Sequence, residues 1–192
     1  MNKFFIPILL ATGRNERESE RVAKYTLEMA QENGFESEIV DVRDHIQDKT
    51  IPNWQDPIPS QKWAQIMTRA DGLIIVVPEY NHSFPGEFKI VFDQLFDEYK
   101  KKPVSICAVS SGGFGGTRVI EQIWNVTLAA GMVPTSYAVH FSKVKELFDK
   151  NGEIKDEKKQ EYDKRMEKML QETEWFAKAM NLMKKADQRQ AD

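Results

Sequence analysis

Apolar runs alternate with helical patterns along the whole chain. Short runs rich in Ile, Leu and Val predict strands near 4–11, 37–42, 72–77, 103–109 and 133–140. Between and after them, apolar residues spaced by three and four predict helices near 18–33, 60–70, 86–100, 116–130 and 156–185. The stretch Gly72-Leu73-Ile74-Ile75-Val76-Val77 has no polar alternation, as expected of a strand buried on both faces of a parallel sheet. Repeated βα units place such strands in one sheet, because each crossover is right-handed and must cover a face. The expected fold class is therefore α/β: a three-layer, doubly wound, five-stranded parallel sheet in the order 2-1-3-4-5. Neither an internal repeat nor a low-complexity linker divides the chain, so a single domain over 1–192 is expected.

Local signals mark the boundaries. Ser19 can cap the first helix and Asn33-Gly34 can close it, while Ser60, after Pro59, can cap the second. The segment 43–59, broken by Pro52, Pro57 and Pro59, reads as a long loop. It is either a functional cover or a surface loop whose Trp54 plugs the edge of the core. In the last helix, Tyr162, Met166, Met169, Thr173, Phe176, Met180 and Met183 draw one stripe, which favours docking on the outer face of the sheet over coiled-coil pairing. From about 186 the chain is polar and a frayed tail is expected.

Composition narrows the function. The chain has 192 residues, 41% hydrophobic, enough for one full core, and its formal charge of −3 disfavours nucleic acid or an anionic membrane as main partner. No 18-residue apolar run predicts a membrane span, and the apolar start is expected to be the first strand rather than a signal peptide. Cys107 is the only cysteine, so an intrachain disulfide and a multi-cysteine metal site are excluded. No metal is expected, and a cytoplasmic location is.

Three loops follow predicted strands at their carboxyl ends, where doubly wound sheets bind ligands. The first, Thr12-Gly13-Arg14-Asn15-Glu16-Arg17-Glu18-Ser19, leads into a helix N-terminus whose unpaired N–H groups suit a phosphate; Thr12 and Ser19 add hydroxyls and Arg14 a cation. The acidic Glu16, Glu18 and Glu20 argue the other way, for a plain cap with a solvated charge cluster. A P-loop and a three-glycine dinucleotide fingerprint are both missing. The second loop, Pro78-Glu79-Tyr80-Asn81-His82-Ser83-Phe84-Pro85-Gly86, offers aromatic faces at Tyr80 and Phe84 and a donor–acceptor amide at Asn81. His82 reads as a solvent-facing loop residue or a proton carrier, and His45 and His140 look isolated. The third, Ser110-Ser111-Gly112-Gly113-Phe114-Gly115-Gly116-Thr117, exposes backbone N–H groups and admits a flat ligand. Neither a G-x-S-x-G elbow nor a His–acid pair supports serine hydrolysis.

Together these loops resemble the NAD(P)H-dependent FMN reductase family, flavodoxin-like flavoproteins that include quinone, azo and chromate reductases. The first is similar to its G-[ST]-x-R-x(4)-S phosphate loop, with Ala11 in place of the usual glycine. Pro78-Glu79-Tyr80-Asn81 with Pro85-Gly86 and Lys89 is similar to its P-E-Y-N-x-S-x-P-G-x-[LF]-K signature, with Ile90 where asparagine commonly follows. The resemblance implies that Thr12, Arg14, Ser19, Arg21 and Val22 hold the FMN phosphate. It further implies that Glu79, Tyr80, Asn81 and His82 line the isoalloxazine, that Pro78 belongs to the same cofactor site, and that Ser110, Ser111, Gly112 and Gly113 approach the pyrimidine edge of the ring. No catalytic side chain is expected, because the flavin performs the chemistry: hydride passes from NADPH or NADH to FMN and on to a small-molecule acceptor.

Two rivals remain: a flavodoxin-type electron carrier, for which a far more acidic chain is expected, and a regulatory protein of the same fold without flavin. A homodimer is expected, because a helix over 86–100 would expose Phe88, Phe92, Leu95, Phe96 and Tyr99, more apolar bulk than one sheet face needs.

Overall fold

The computed structural model describes residues 3–54 and 61–191, with side chains to Asp187. Its strands are β1 (Ile8–Leu10), β2 (Ile39–Asp41), β3 (Leu73–Pro78), β4 (Pro103–Val109), β5 (Val133–Pro134) and β6 (Val139–Phe141). Its helices are α1 (Ser19–Glu32), α2 (Gln61–Arg69), α3 (Gly86–Phe92), α4 (Thr117–Ala129), α5 (Val144–Leu147) and α6 (Asp156–Ala191). All strand pairs are parallel and the order is β2-β1-β3-β4-β5, as the alternation predicts, with β6 also on β4.

The uniformly apolar strands serve two cores, one per face. Leu73, Ile75 and Val77 of β3, with Val104, Ile106 and Ala108 of β4, face α2, α3 and α4 around Trp63, Phe88 and Tyr99. Ile74 and Val76, with Cys107 and Val109, face α1 and α6 around Tyr25, Phe141 and Met169. Period two along each strand sends successive side chains to opposite layers, so an unbroken apolar run is what this position requires. Cys107 is fully buried and its thiol is pushed up to about 12 by that burial.

The structure departs from the predicted elements in several places. The fifth strand is split: β5 pairs with Pro103 and Val104, and β6 with Cys107 to Val109. Two residues of β4 (Ser105, Ile106) thus face four (135–138). Thr135 turns inward, its Oγ1 2.9 Å from Ser105 Oγ, which is 2.6 Å from Thr173 Oγ1 on α6, while Ser136 and Tyr137 bulge out to solvent. The helix expected over 86–100 stops at Phe92 and is followed by a 3-10 turn, Asp97–Tyr99. That break lets the Tyr99 ring stack on Phe92 at 4.2 Å and its hydroxyl donate to the Phe92 carbonyl and accept from Trp63 Nε1. Phe88, Phe92, Leu95 and Tyr99 are consequently all buried, and only Phe96 is exposed, so the excess apolar bulk expected on this helix is absent.

α6 docks on the sheet as expected, but its buried stripe is Tyr162, Met166, Met169, Leu170, Thr173 and Ala177, with Met183 exposed. The expected tail is helical through Ala191. Trp54 is 83% exposed and plugs nothing. Ser60, Pro57 and Pro59 lie outside the described residues.

Candidate functional site

The loops after β1, β3 and β4 meet at the carboxyl edge of the sheet and enclose a cavity of about 380 Å³. Arg14, Glu18 and Ser19 line it from the first loop, Pro78, Glu79 and Tyr80 from the second, and Ser110 and Ser111 from the third. That volume lies in the range of small-molecule sites.

The first loop is held from behind. Arg17 is buried; its guanidinium donates to the Thr12 carbonyl and to both carboxylate oxygens of Asp41, at the end of the neighbouring β2. Arg43 adds a second set of bonds to Asp41 through its backbone N–H and Nε, each at 3.0 Å. Burial alone would raise the Asp41 carboxyl, but hydrogen bonds from Arg17 and Arg43 outweigh it and hold the group well below the usual carboxylate range. Thr12 is fully buried and accepts from the Arg14 N–H at 3.3 Å, so it shapes the loop rather than lining the cavity. Ser19 caps nothing: it is the first helical residue, and Glu18 occupies the cap position without a side-chain hydrogen bond.

The second loop is a tight hairpin. Tyr80 and Ser83 exchange two backbone bonds of 2.9 and 3.0 Å, and Asn81 and His82 between them have φ of 49° and 65°. A two-residue type I′ turn needs positive φ at both central positions, which asparagine tolerates well. Asn81 and His82 therefore stand exposed at the tip. Tyr80 stays in the cavity, with the Arg14 guanidinium 5.3 Å from its ring centre. Glu79 reaches sideways: its carboxylate accepts from the N–H groups of Arg118 (3.1 Å) and Val119 (3.4 Å) and from the Arg118 guanidinium (3.2 Å). It caps α4 and clamps the second loop to the third.

In the third loop, Gly116 has φ of 75°, and a Cβ there would lie 2.8 Å from that of Ala108. Thr117 does not cap α4; Gly116 holds that position and the Thr117 hydroxyl donates to the Phe114 carbonyl at 2.7 Å. Ser110 Oγ accepts from the Gly112 N–H at 3.0 Å. Gly112 does not line the cavity, and Gly113 borders a separate one of about 390 Å³ with Phe114, His140 and Arg165. His140 is not isolated: its Nδ1 lies 3.2 Å from the Gly115 carbonyl and braces this loop. His45 is buried, which lowers its pKa, and its ring tilts over Trp63 at 6.1 Å.

Two residues taken from the phosphate motif fall elsewhere. Val22 is fully buried in the core beneath α1, and Arg21 pairs with Glu18 at 3.5 Å on the rim of a different cleft. The sequence reading missed Arg17, Val144 and Lys145, all of which line the cavity. The signal for the last two was Val144, Leu147 and Phe148, spaced as one helical face.

The donor set suits a flat, phosphorylated heterocycle such as FMN: hydroxyls at Ser19, Ser110 and Ser111, cations at Arg14 and Lys145, and one aromatic face at Tyr80. No group of three or more His, Cys, Asp or Glu that could hold a metal occurs among the described residues. Nor is any helix there long and apolar enough to cross a membrane.

A parallel sheet in the order 2-1-3-4-5 with its cavity over the carboxyl ends of the strands defines the flavodoxin-like class. The chain belongs to the NADPH-dependent FMN reductase family, whose profile matches residues 6–146. It is 30% identical over 145 residues to an NAD(P)H-dependent FMN reductase of Schizosaccharomyces pombe, covering 70% of this chain and 72% of that one. A second FMN reductase, from Saccharomyces cerevisiae, is 31% identical over 78 residues, or 41% of this chain; the match spans only 39% of that protein's length. Among solved structures, the flavoenzyme NAD(P)H:(acceptor) oxidoreductase FerB of Paracoccus denitrificans superposes with a TM-score of 0.75 at 20% identity, over 90% of this chain and 98% of that one, a likeness of fold.

Proposed function

We propose that this protein is an FMN-dependent oxidoreductase that takes hydride from NADPH or NADH and passes electrons to a small-molecule acceptor such as a quinone or azo compound. The observation that carries the reading is the single cavity into which three separate loops converge over the sheet. Arg14 and Ser19, at the amide end of α1, hold the phosphate. Tyr80 offers a stacking face, and Ser110 and Ser111 present hydroxyls and backbone N–H groups to the polar edge of the ring. Pro78 and Glu79 set the height of the second loop, Thr12 shapes the first, and Gly112 and Gly113 keep the third thin. Asn81 and His82, at the exposed hairpin tip, flank the mouth that donor and acceptor use.

The bound FMN supplies the hydride and electron chemistry; the side chains position it, keep Tyr80 and the serines in place and exclude water. No proton-transferring dyad is required, in keeping with the exposed position of His82 at the hairpin tip.

The protein acts as one domain and as a homodimer in the cytoplasm. The dimer rests on a different surface from the buried face of α3: exposed Trp54 and Phe96 line a groove of about 680 Å³ with Val126 and Ala129. A double substitution, Trp54→Ser with Phe96→Ser, is expected to sediment as a monomer; an unchanged species removes this surface from the account.

The test of function is anaerobic. Purified protein is mixed with FMN, checked for flavin fluorescence quenching, and given NADPH. Quenching followed by bleaching of the visible flavin absorbance is expected. Quenching without bleaching by either NADPH or NADH favours an electron carrier, and no quenching removes the flavin reading.

A further inference from the structure

We propose that Lys145, on the short helix α5, is the residue that makes this cavity select a phosphorylated flavin. The inference rests on the FMN reading above and adds to it a fourth chain segment.

Charge singles out Lys145. Six charged side chains line the cavity: Arg14, Arg17 and Lys145 against Glu16, Glu18 and Glu79. Three of them are already committed to partners. Arg17 is bound to Asp41, Glu79 to Arg118, and Glu18 is paired with Arg21. Arg14, Glu16 and Lys145 have no ion pair among the described residues. Without Lys145, Arg14 and Glu16 cancel and the mouth shows no net charge to a phosphate dianion. With it, one positive charge is left over.

Lys145 is also carried by a supported element. The Val144 N–H donates to the Ser110 carbonyl at 3.1 Å and the Lys143 N–H to the Gly112 carbonyl at 3.0 Å, so α5 is tied to the third loop. Val144 and Leu147 are buried in the same core as Val22 and Tyr25 of α1. Lys143 takes a left-handed backbone, φ 47°, to start the turn, a conformation a lysine adopts only when its surroundings enforce it. Lys145 itself is exposed, so its replacement leaves the core intact.

The test compares FMN with riboflavin, which carries the same ring and ribityl chain without the phosphate. Dissociation constants are read from flavin fluorescence quenching for wild type, Lys145→Gln, Lys145→Arg and the neighbouring control Lys143→Gln. Lys145→Gln is expected to weaken FMN by about tenfold, the low end for a charged hydrogen bond at an exposed site, and to flatten the salt dependence of FMN binding. Riboflavin should be unaffected, Lys145→Arg should bind FMN like wild type, and so should Lys143→Gln. Unchanged FMN affinity in Lys145→Gln overturns the assignment while leaving the flavin site standing. Equal loss of FMN and riboflavin overturns it too, placing the lysine against the ring. A raised KM for NADPH with unchanged FMN affinity also overturns it, by assigning Lys145 to the donor's phosphates. Wild type that binds neither flavin overturns both readings together.

Discussion

Replacing Glu79 by Ala separates a clamp from a flavin contact. In the structure this carboxylate, 10% exposed, accepts two N–H bonds from the first turn of α4 and pairs with Arg118, which is 45% exposed. Loss of an N-terminal cap costs about 1 kcal/mol, and removing an anion from a helix N-terminus a further 0.3–1 kcal/mol or so. The half-exposed ion pair adds roughly 0–1 kcal/mol. The expected total is about 2 kcal/mol, which for a chain of this size lowers Tm by roughly 4–8 °C. Glu79→Gln keeps an acceptor but not the charge and should fall between Ala and wild type. Thermal and urea unfolding of the flavin-free protein measure the effect, with FMN affinity titrated in parallel. A Tm unchanged in Glu79→Ala alongside a collapse of FMN affinity would refute the clamp and return Glu79 to the flavin.

Three further outcomes follow from the same geometry. Gly116→Ala combines a left-handed alanine, about 1–2 kcal/mol, with overpacking against Ala108, about 1–3 kcal/mol. It should destabilise far more than Gly34→Ala, where φ is also positive but nothing lies within 4 Å; equal losses by urea unfolding would contradict the close approach. The Asp41 carboxyl is held low in the folded state, so its contribution is present above about pH 4 and is lost as the pH falls below that. Asp41→Asn should accordingly flatten the acid limb of the stability curve, and an unchanged limb would show that the Arg17 clamp contributes nothing. Lys102 is buried, which lowers its pKa to about 8, while its ammonium donates to the Met67 carbonyl at the end of α2. The unfolded chain keeps that proton to about pH 10.4, so this group makes stability rise with pH from about 8 upward. Unfolding of wild type minus Lys102→Met across that range isolates the slope, and a flat difference would contradict it.

Much of this fold was legible because parallel strands buried on both faces carry no polar alternation. The predicted strand over 103–109 coincides with β4, and the predicted order of the sheet holds. What escaped depends on distant partners. Nothing local to 133–140 shows that Thr135 finds Ser105 and Thr173 and so divides the strand. The spacing of Phe88, Phe92, Leu95 and Tyr99 is helical, yet Tyr99 gains more by folding back on Phe92 and Trp63 than by extending the turn. The site divides in the same way. Arg14, Ser19, Tyr80, Ser110 and Ser111 follow from loops placed after strands, but position in a motif does not say which way a side chain faces. Thr12 and Val22 point into the protein, and Glu79 points at a helix. Lys145 was missed because Val144, Leu147 and Phe148, though helically spaced, span too short a stretch for periodicity to declare a helix.

The position of bound FMN is the decisive observation. Crystals grown with excess FMN are expected to show its phosphate between Arg14, Ser19 and Lys145 and its ring against Tyr80, beside Ser110 and Ser111. Density for the nucleotide anywhere else, or none over the carboxyl edge of the sheet, would contradict it.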